Sequence, residues 1–216
     1  FVQGYNNVIE NQLTGTYFLG PDLWDYYLGA GENRVTMYGD SLHPNSLGTA
    51  VLGALWNNAL TGETDLPYVL EGMEVRLSQG GTPESPILYQ QNLLEIGDEF
   101  FIDDAAVLTT SIPAPLQDGV WIMTADADVN QNNTDYLSFD VGASPVDVYL
   151  AYDADVALPL ALASEYLPTG LSITTDHPNA PVMTIYSRTG AVGTVVIGGA
   201  DGGTSGADAN YIVIVV

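Results

Sequence analysis

Tyr136-Leu137-Ser138-Phe139-Asp140-Val141 alternates polar and apolar side chains: Leu137, Phe139 and Val141 point one way, and Tyr136, Ser138 and Asp140 the other. A period of two is that of a β-strand with one buried face. The same reading extends outward to Tyr68–Leu77, Glu99–Ile102, Gly119–Ala125, Val146–Tyr152, Leu171–Thr175, Val182–Ser187, Gly193–Ile197 and Asn210–Val216. Turn clusters such as Gly80-Gly81-Thr82-Pro83 and Gly198-Gly199-Ala200-Asp201-Gly202-Gly203 separate them. Many short strands with Gly/Pro turns and no intervening helical pattern predict a mainly β chain, an antiparallel β-sandwich of jelly-roll type. Ala157–Leu167 has room for a helical turn kept short by Pro159 and Pro168. Tyr211-Ile212-Val213-Ile214-Val215-Val216 is apolar on both faces, so it must be paired and covered or it will template aggregation.

The character of the chain changes near Thr61-Gly62-Glu63-Thr64-Asp65. Before it the period is helical. Tyr5, Val8, Ile9 and Leu13 share one face, as do Leu47, Val51, Leu55 and Ala59, with Pro44 placed for a first turn. Three regions are therefore expected: a small α/β segment over residues 1–65, a linker or first strand over 66–85, and a β-sandwich over 86–216.

Composition narrows the function. The 216 residues carry 27 Asp and Glu against three Arg and no Lys, a net charge of −24. Nucleic-acid binding needs clustered cations to displace counterions from phosphates, and none are available. The same lack disfavours docking on anionic lipid. No apolar run reaches spanning length, so membrane insertion is not expected. With no Cys, disulfides, thiol chemistry and Cys-type zinc sites are not expected, and with only His43 and His177 neither is any other zinc site. Richness in Gly, Pro and Tyr suits a β-rich protein outside the cell or at its surface. The chain opens at Phe1 without an initiator Met or signal pattern and reads as a processed or partial chain.

One stretch carries recognisable chemistry: Met37-Tyr38-Gly39-Asp40-Ser41-Leu42-His43-Pro44-Asn45. The literal Gly-Asp-Ser-Leu invites a nucleophile reading, but His43 lies two residues from Ser41 and leads into a helix. A base must approach its nucleophile from another element. Asp40-x-x-His43-Pro44-Asn45, followed by Leu47-Gly48 and Leu52, Leu55 and Trp56, resembles instead the C-terminal histidine block of the SGNH (GDSL-type) hydrolases. The resemblance covers residues 1–62, including Gly4–Ile9 as the helix before the last strand. It implies His43 as general base and Asp40 as its orienter. The family's nucleophile, oxyanion Gly and Gly-x-Asn-Asp blocks do not occur, so the segment reads as a remnant of an α/β SGNH domain, and esterase activity of this chain alone is not expected. A pairing of Ser41 with His177 and Asp176 has no support in spacing.

Residues 86–216 resemble a second thing. Gln90–Glu99, Leu108–Pro113, Gly119–Ala125, Leu137–Phe139 and Val148–Asp153 are together similar to a β-sandwich module found C-terminally in secreted multidomain bacterial proteins, some of them polysaccharide-active. That resemblance implies an accessory, noncatalytic role. Tyr149, Tyr152 and Tyr166 are the candidates for stacking on sugar rings, whereas Trp121, in an apolar strand, reads as core. Asn132-Asn133-Thr134 is the sole sequon, making Asn132 the glycosylation candidate.

Asp126, Asp128, Asn130 and Asn132 place oxygen ligands at alternate positions, with Asp135 beyond them. Two readings stand side by side: half of a Ca²⁺ site, which Asp201 and Asp208 could complete from another loop, or a solvated acidic loop. The expected function is that of a secreted structural subunit of an extracellular or cell-surface assembly, a homo-oligomer or filament in which neighbours cover the apolar side chains of residues 1–62. The competing reading is the C-terminal portion of an SGNH carbohydrate esterase with a carbohydrate-binding sandwich.

Overall fold

The computed structural model describes residues 48–49, 51–53, 55–56, 70–77, 90–106, 108, 112–117 and 119–216. It divides into two units, Phe1–Tyr68 and Val69–Val216. In the first unit residues 48–49, 51–53 and 55–56 are helical, as their periodicity predicts. Val51 is buried, Leu55 is half-buried, and Trp56 is exposed. Asp40 and His43 lie outside the described residues.

The second unit is a β-sandwich. Its described strands are β1 (Glu71–Val75), β2 (Gln90–Leu93), β3 (Val120–Met123), β4 (Leu137–Asp140), β5 (Val146–Asp153), β6 (Leu167–Thr174), β7 (Val182–Ala191), β8 (Thr194–Ile197) and β9 (Ile212–Val215). One sheet has the order β2-β3-β9-β5-β7-β6 and the other β1-β4-β8. Every ladder is antiparallel. Among these strands the chain passes between sheets after β1, β3, β4, β7 and β8. Mainly β architecture and the sandwich are thus as the alternation predicts.

β9 explains the large sheet. A run of β-branched residues apolar on both sides is stable only where both faces and both edges are covered. It lies between β3 and β5, with Trp121 and Tyr149 flanking Ile214 and with Ile122 and Leu150 flanking Val213. Ile212 to Val215 are all buried. On one face Trp121, Met123, Ile212, Ile214, Tyr149, Ala151, Met183 and Ile185 form a single core. The segment between β2 and β3 supplies its lid, through Leu94, Phe100, Phe101, Leu108 and Leu116. The other sheet covers the opposite face. Leu137, Phe139, Val195 and Ile197 are buried, while Ser138, Asp140, Thr194 and Val196 are not.

Three boundaries differ from the sequence reading, each for a physical reason. β6 begins at Leu167 rather than Leu171 because it is an edge strand, where Pro168 costs no ladder bond. Gly170, at φ +77°, absorbs the shift of register between Pro168 and Ser172. β2 is polar, Gln-Gln-Asn-Leu, and pairs with β3 along an edge, so no apolar alternation announces it. Residues 99–102 were expected as a strand, yet Phe101 makes only an isolated parallel bridge to Thr124. Those residues serve as lid. The helical turn within Ala157–Leu167 is Leu160–Ala163.

Candidate functional site

Polar side chains gather at one end of the sandwich, where β3 ends and β9 begins. Asn210 is fully buried and organises this end. Its Nδ2 donates to the Ala125 carbonyl (2.8 Å) and to the Tyr136 hydroxyl (3.2 Å), and its Oδ1 accepts the Tyr211 N–H (2.9 Å). The Tyr136 hydroxyl donates onward to Asp128 Oδ2 at 2.9 Å. Thr124 Oγ1 donates to the Tyr211 carbonyl (2.8 Å), and Tyr211 Oη to the Gly198 carbonyl (2.8 Å). Replacing Asn210 by Ala removes the side-chain hydrogen bonds to the Ala125 carbonyl, the Tyr136 hydroxyl and the Tyr211 amide. A buried hydrogen bond contributes about 0.5–1.5 kcal/mol, so the urea midpoint should fall by the equivalent of about 2 kcal/mol or more with an unchanged m-value.

Asp126 is the pivot between this network and a second one. Its Oδ1 accepts the Asn210 N–H at 3.0 Å, and its Oδ2 lies 3.5 Å from His177 Nε2. Burial raises its carboxyl above the ordinary range, while the Asn210 amide and His177 pull the other way. His177 is 4% exposed. Its Nδ1 accepts the Ala180 N–H at 3.1 Å, and its ring stands edge-on to Phe101. The Asp103 carboxylate caps the 126–128 turn, accepting the amides of Asp126 (2.6 Å) and Ala127 (3.0 Å). Asp104 Oδ1 accepts the Ala106 N–H at 2.8 Å. The Asp104 and Asp126 carboxylates and the His177 ring converge, one atom of each lying within 4.8 Å of the others.

The five oxygen-ligand candidates of the 126–135 loop are sent in separate directions. Asp126 turns to Asn210 and His177, and Asp128 to Tyr136. Asp135 pairs with Arg76 (2.9 Å), and Arg76 and Asn133 hold its carboxyl below the ordinary range. Asn130 and Asn132 are exposed. The Gly-rich loop does lie beside this one. Gly199, Asp201 and Gly202 donate their amides to the carbonyls of Asn133, Gln131 and Val129 at 2.9, 2.8 and 2.8 Å. Asp208 stays exposed and its amide bonds Asp153 Oδ2. Asn132, the sequon residue, is on the surface of this hydrogen-bonded pair of loops.

The three tyrosines expected as stacking platforms require correction, because all are buried. Tyr149 and Tyr152 are on β5, an interior strand with both faces covered, and are 8% and 0% exposed. Tyr152 Oη donates to the Ala200 carbonyl at 2.8 Å. Tyr166 is 2% exposed; burial drives its phenol far above the ordinary value, with Arg188 opposing and Glu165 adding. An interior strand cannot be told from a half-exposed one by a short stretch of sequence. Trp121 is core, as its apolar strand predicts.

No protein-family model and no curated protein matches this sequence. Among solved structures, a β-glucuronidase from glycoside hydrolase family 2 is similar, with a TM-score of 0.56 and 18% identity over 70% of this chain. The likeness is one of fold. The match spans only 15% of that enzyme's chain. A family 138 glycoside hydrolase targeting the pectin rhamnogalacturonan II aligns at a TM-score of 0.42 and 11% identity, over 78% of this chain and 19% of that one.

Proposed function

We propose that this chain is a noncatalytic β-sandwich module of a larger extracellular carbohydrate-associated protein, and that it acts as a packing and assembly unit rather than as a sugar-binding one. One observation carries the reading. Nine of the ten aromatic side chains of the described sandwich are spent on its core: Phe100, Phe101, Trp121, Tyr136, Phe139, Tyr149, Tyr152, Tyr166 and Tyr211 are buried, and Tyr186 on β7 is half-buried. A module that grips sugars by stacking keeps such faces open. Acidic polysaccharides lack a handle too, since both described arginines are taken: Arg76 by Glu74 and Asp135, and Arg188 by Glu165. The fold likeness to a small part of a β-glucuronidase supports a module within a multidomain protein. Asp40 and His43 fit the remnant of an SGNH segment, with no nucleophile block to serve them.

Chain 1–216 should therefore show neither hydrolysis of nitrophenyl acetate and acetylated xylan nor retardation in affinity electrophoresis through neutral polysaccharides. Esterase activity abolished by His43→Ala would replace this reading with the enzyme fragment, and retardation would replace it with a binding module. Assembly has its own support. Leu160, on the helical turn before β6, and Leu167, at the start of β6, are 87% and 67% exposed. Such large apolar side chains in water invite a neighbour. Sedimentation of the chain as a monomer at micromolar concentration would remove the assembly role.

A further inference from the structure

We propose that the turn between β6 and β7 is an acid-responsive catch, in which a second proton on His177 releases the Ala180 amide while the ring stays with Asp126. Thr175 and His177 close this turn. The Thr175 N–H donates to the Pro181 carbonyl at 3.0 Å, and its Oγ1 donates to the Ala180 carbonyl at 2.9 Å and accepts the His177 N–H at 3.1 Å. The Ala180 N–H donates to His177 Nδ1 at 3.1 Å. Of these bonds only the last has an acceptor that titrates near neutral pH.

Nδ1 accepts the Ala180 amide, so the proton of the neutral ring is on Nε2, which faces Asp126 Oδ2 at 3.5 Å. With that proton in place the ring has no lone pair for a cation, and Asp104, Asp126 and His177 make no metal site. A second proton has one place to go, Nδ1. Both nitrogens of an imidazolium are donors, so no rotation of the ring restores an acceptor to Ala180. Protonation and the Ala180 hydrogen bond therefore exclude one another. Water cannot stand in while the turn is closed, because His177 and Ala180 are both buried.

The surroundings of the ring decide which side gives way. The charged side chains facing it are acidic: Asp126 from the turn after β3, Asp103 and Asp104 from the lid segment close to that carboxylate, and Asp176 in its own loop. They attract an imidazolium and keep it in place. Phe101, edge-on to the ring, and Asn210, whose N–H bonds Asp126 Oδ1, carry no charge. The Ala180 side is the one that moves, and Pro178 and Asn179, which join it to His177, are exposed. The open form carries one proton more than the closed form, so falling pH favours it.

The test is amide hydrogen exchange of the full chain, read by NMR at about pH 8 and about pH 5, either side of the ordinary imidazole range, as protection over the intrinsic rate. Ala180 should lose protection by at least about tenfold at the lower pH, since a buried amide without a partner is costly. The Gly199 amide, bonded to the Asn133 carbonyl at 2.9 Å, should keep its own. His177→Asn puts an amide oxygen close to the place of Nδ1 and does not titrate, so there Ala180 should be equally protected at both pH values. In wild type the loss should share its midpoint with the ¹⁵Nδ1 shift of His177. Unchanged protection of Ala180 in wild type would overturn the catch, as would an equal loss at Gly199, an equal loss in His177→Asn, or a midpoint apart from that of Nδ1.

Discussion

Ile214→Asp unfolds the sandwich, whereas Val196→Asp leaves it intact. Ile214 is fully buried at the centre of the large sheet, flanked by Trp121 on β3 and Tyr149 on β5. The surrounding core cluster is apolar, so a carboxylate there has no cation to meet it. Loss of the side chain alone costs about 2–5 kcal/mol, and burial of an uncompensated polar group adds at least about 1–3 kcal/mol. A domain typically holds about 5–15 kcal/mol in all. Val196 is also on a strand, but it is 41% exposed on the solvent face of β8. The same charge there should move stability by less than about 0.5 kcal/mol. Circular dichroism and urea unfolding of the two variants decide the matter. A cooperative transition in Ile214→Asp near the wild-type midpoint would mean that β9 is not the central strand.

Gly199→Ala is expected to lower the melting temperature by about 6–12 °C, from a loss of about 3 kcal/mol or more. At this position the 126–135 loop and the Gly-rich loop touch backbone to backbone. A Cβ on residue 199 would overlap the Gln131 carbonyl and stand 3.0 Å from the Asn132 nitrogen. Neither obstacle can swing aside as a flexible side chain would, because Gln131 and Asn133 hold the amides of Asp201 and Gly199. Gly203→Ala is the control. Its Cβ would meet only Asn130 Oδ1, at 3.6 Å, and its melting temperature should stay within a few degrees of wild type. Equal losses at 199 and 203 would show that the loops do not meet in this way.

The strands were legible where burial is one-sided or complete. Leu137-Ser138-Phe139-Asp140 alternates in sequence and in structure alike, and the unbroken run at Ile212–Val215 matches a strand covered on both faces. β2 was not legible, because an edge strand can pair through its backbone without an apolar pattern. The candidate site was read only in part. Asp126 stood out through its neighbours at 128, 130 and 132, yet the groups that converge on it are Asp104 and His177, 22 and 51 residues away. Both had local explanations in the sequence. Asp104 follows Asp103 in an acidic pair, and His177 sits in a proline-bordered turn.

By itself the sequence determined the class of fold, because side-chain alternation and β-branched runs are local consequences of which faces meet water. It also determined the strongly acidic character, since charge is additive along a chain. Strand order was decided only by the tertiary structure, which inserts the C-terminal β9 between β3 and β5. The fate of Tyr149, Tyr152 and Tyr166 was decided there too, as was the gathering of Asp104, Asp126, His177 and Asn210 at one end. The physical reason is the same in each case. Whether a residue is sealed, and what its side chain meets, depends on segments distant in sequence, and no local pattern records them.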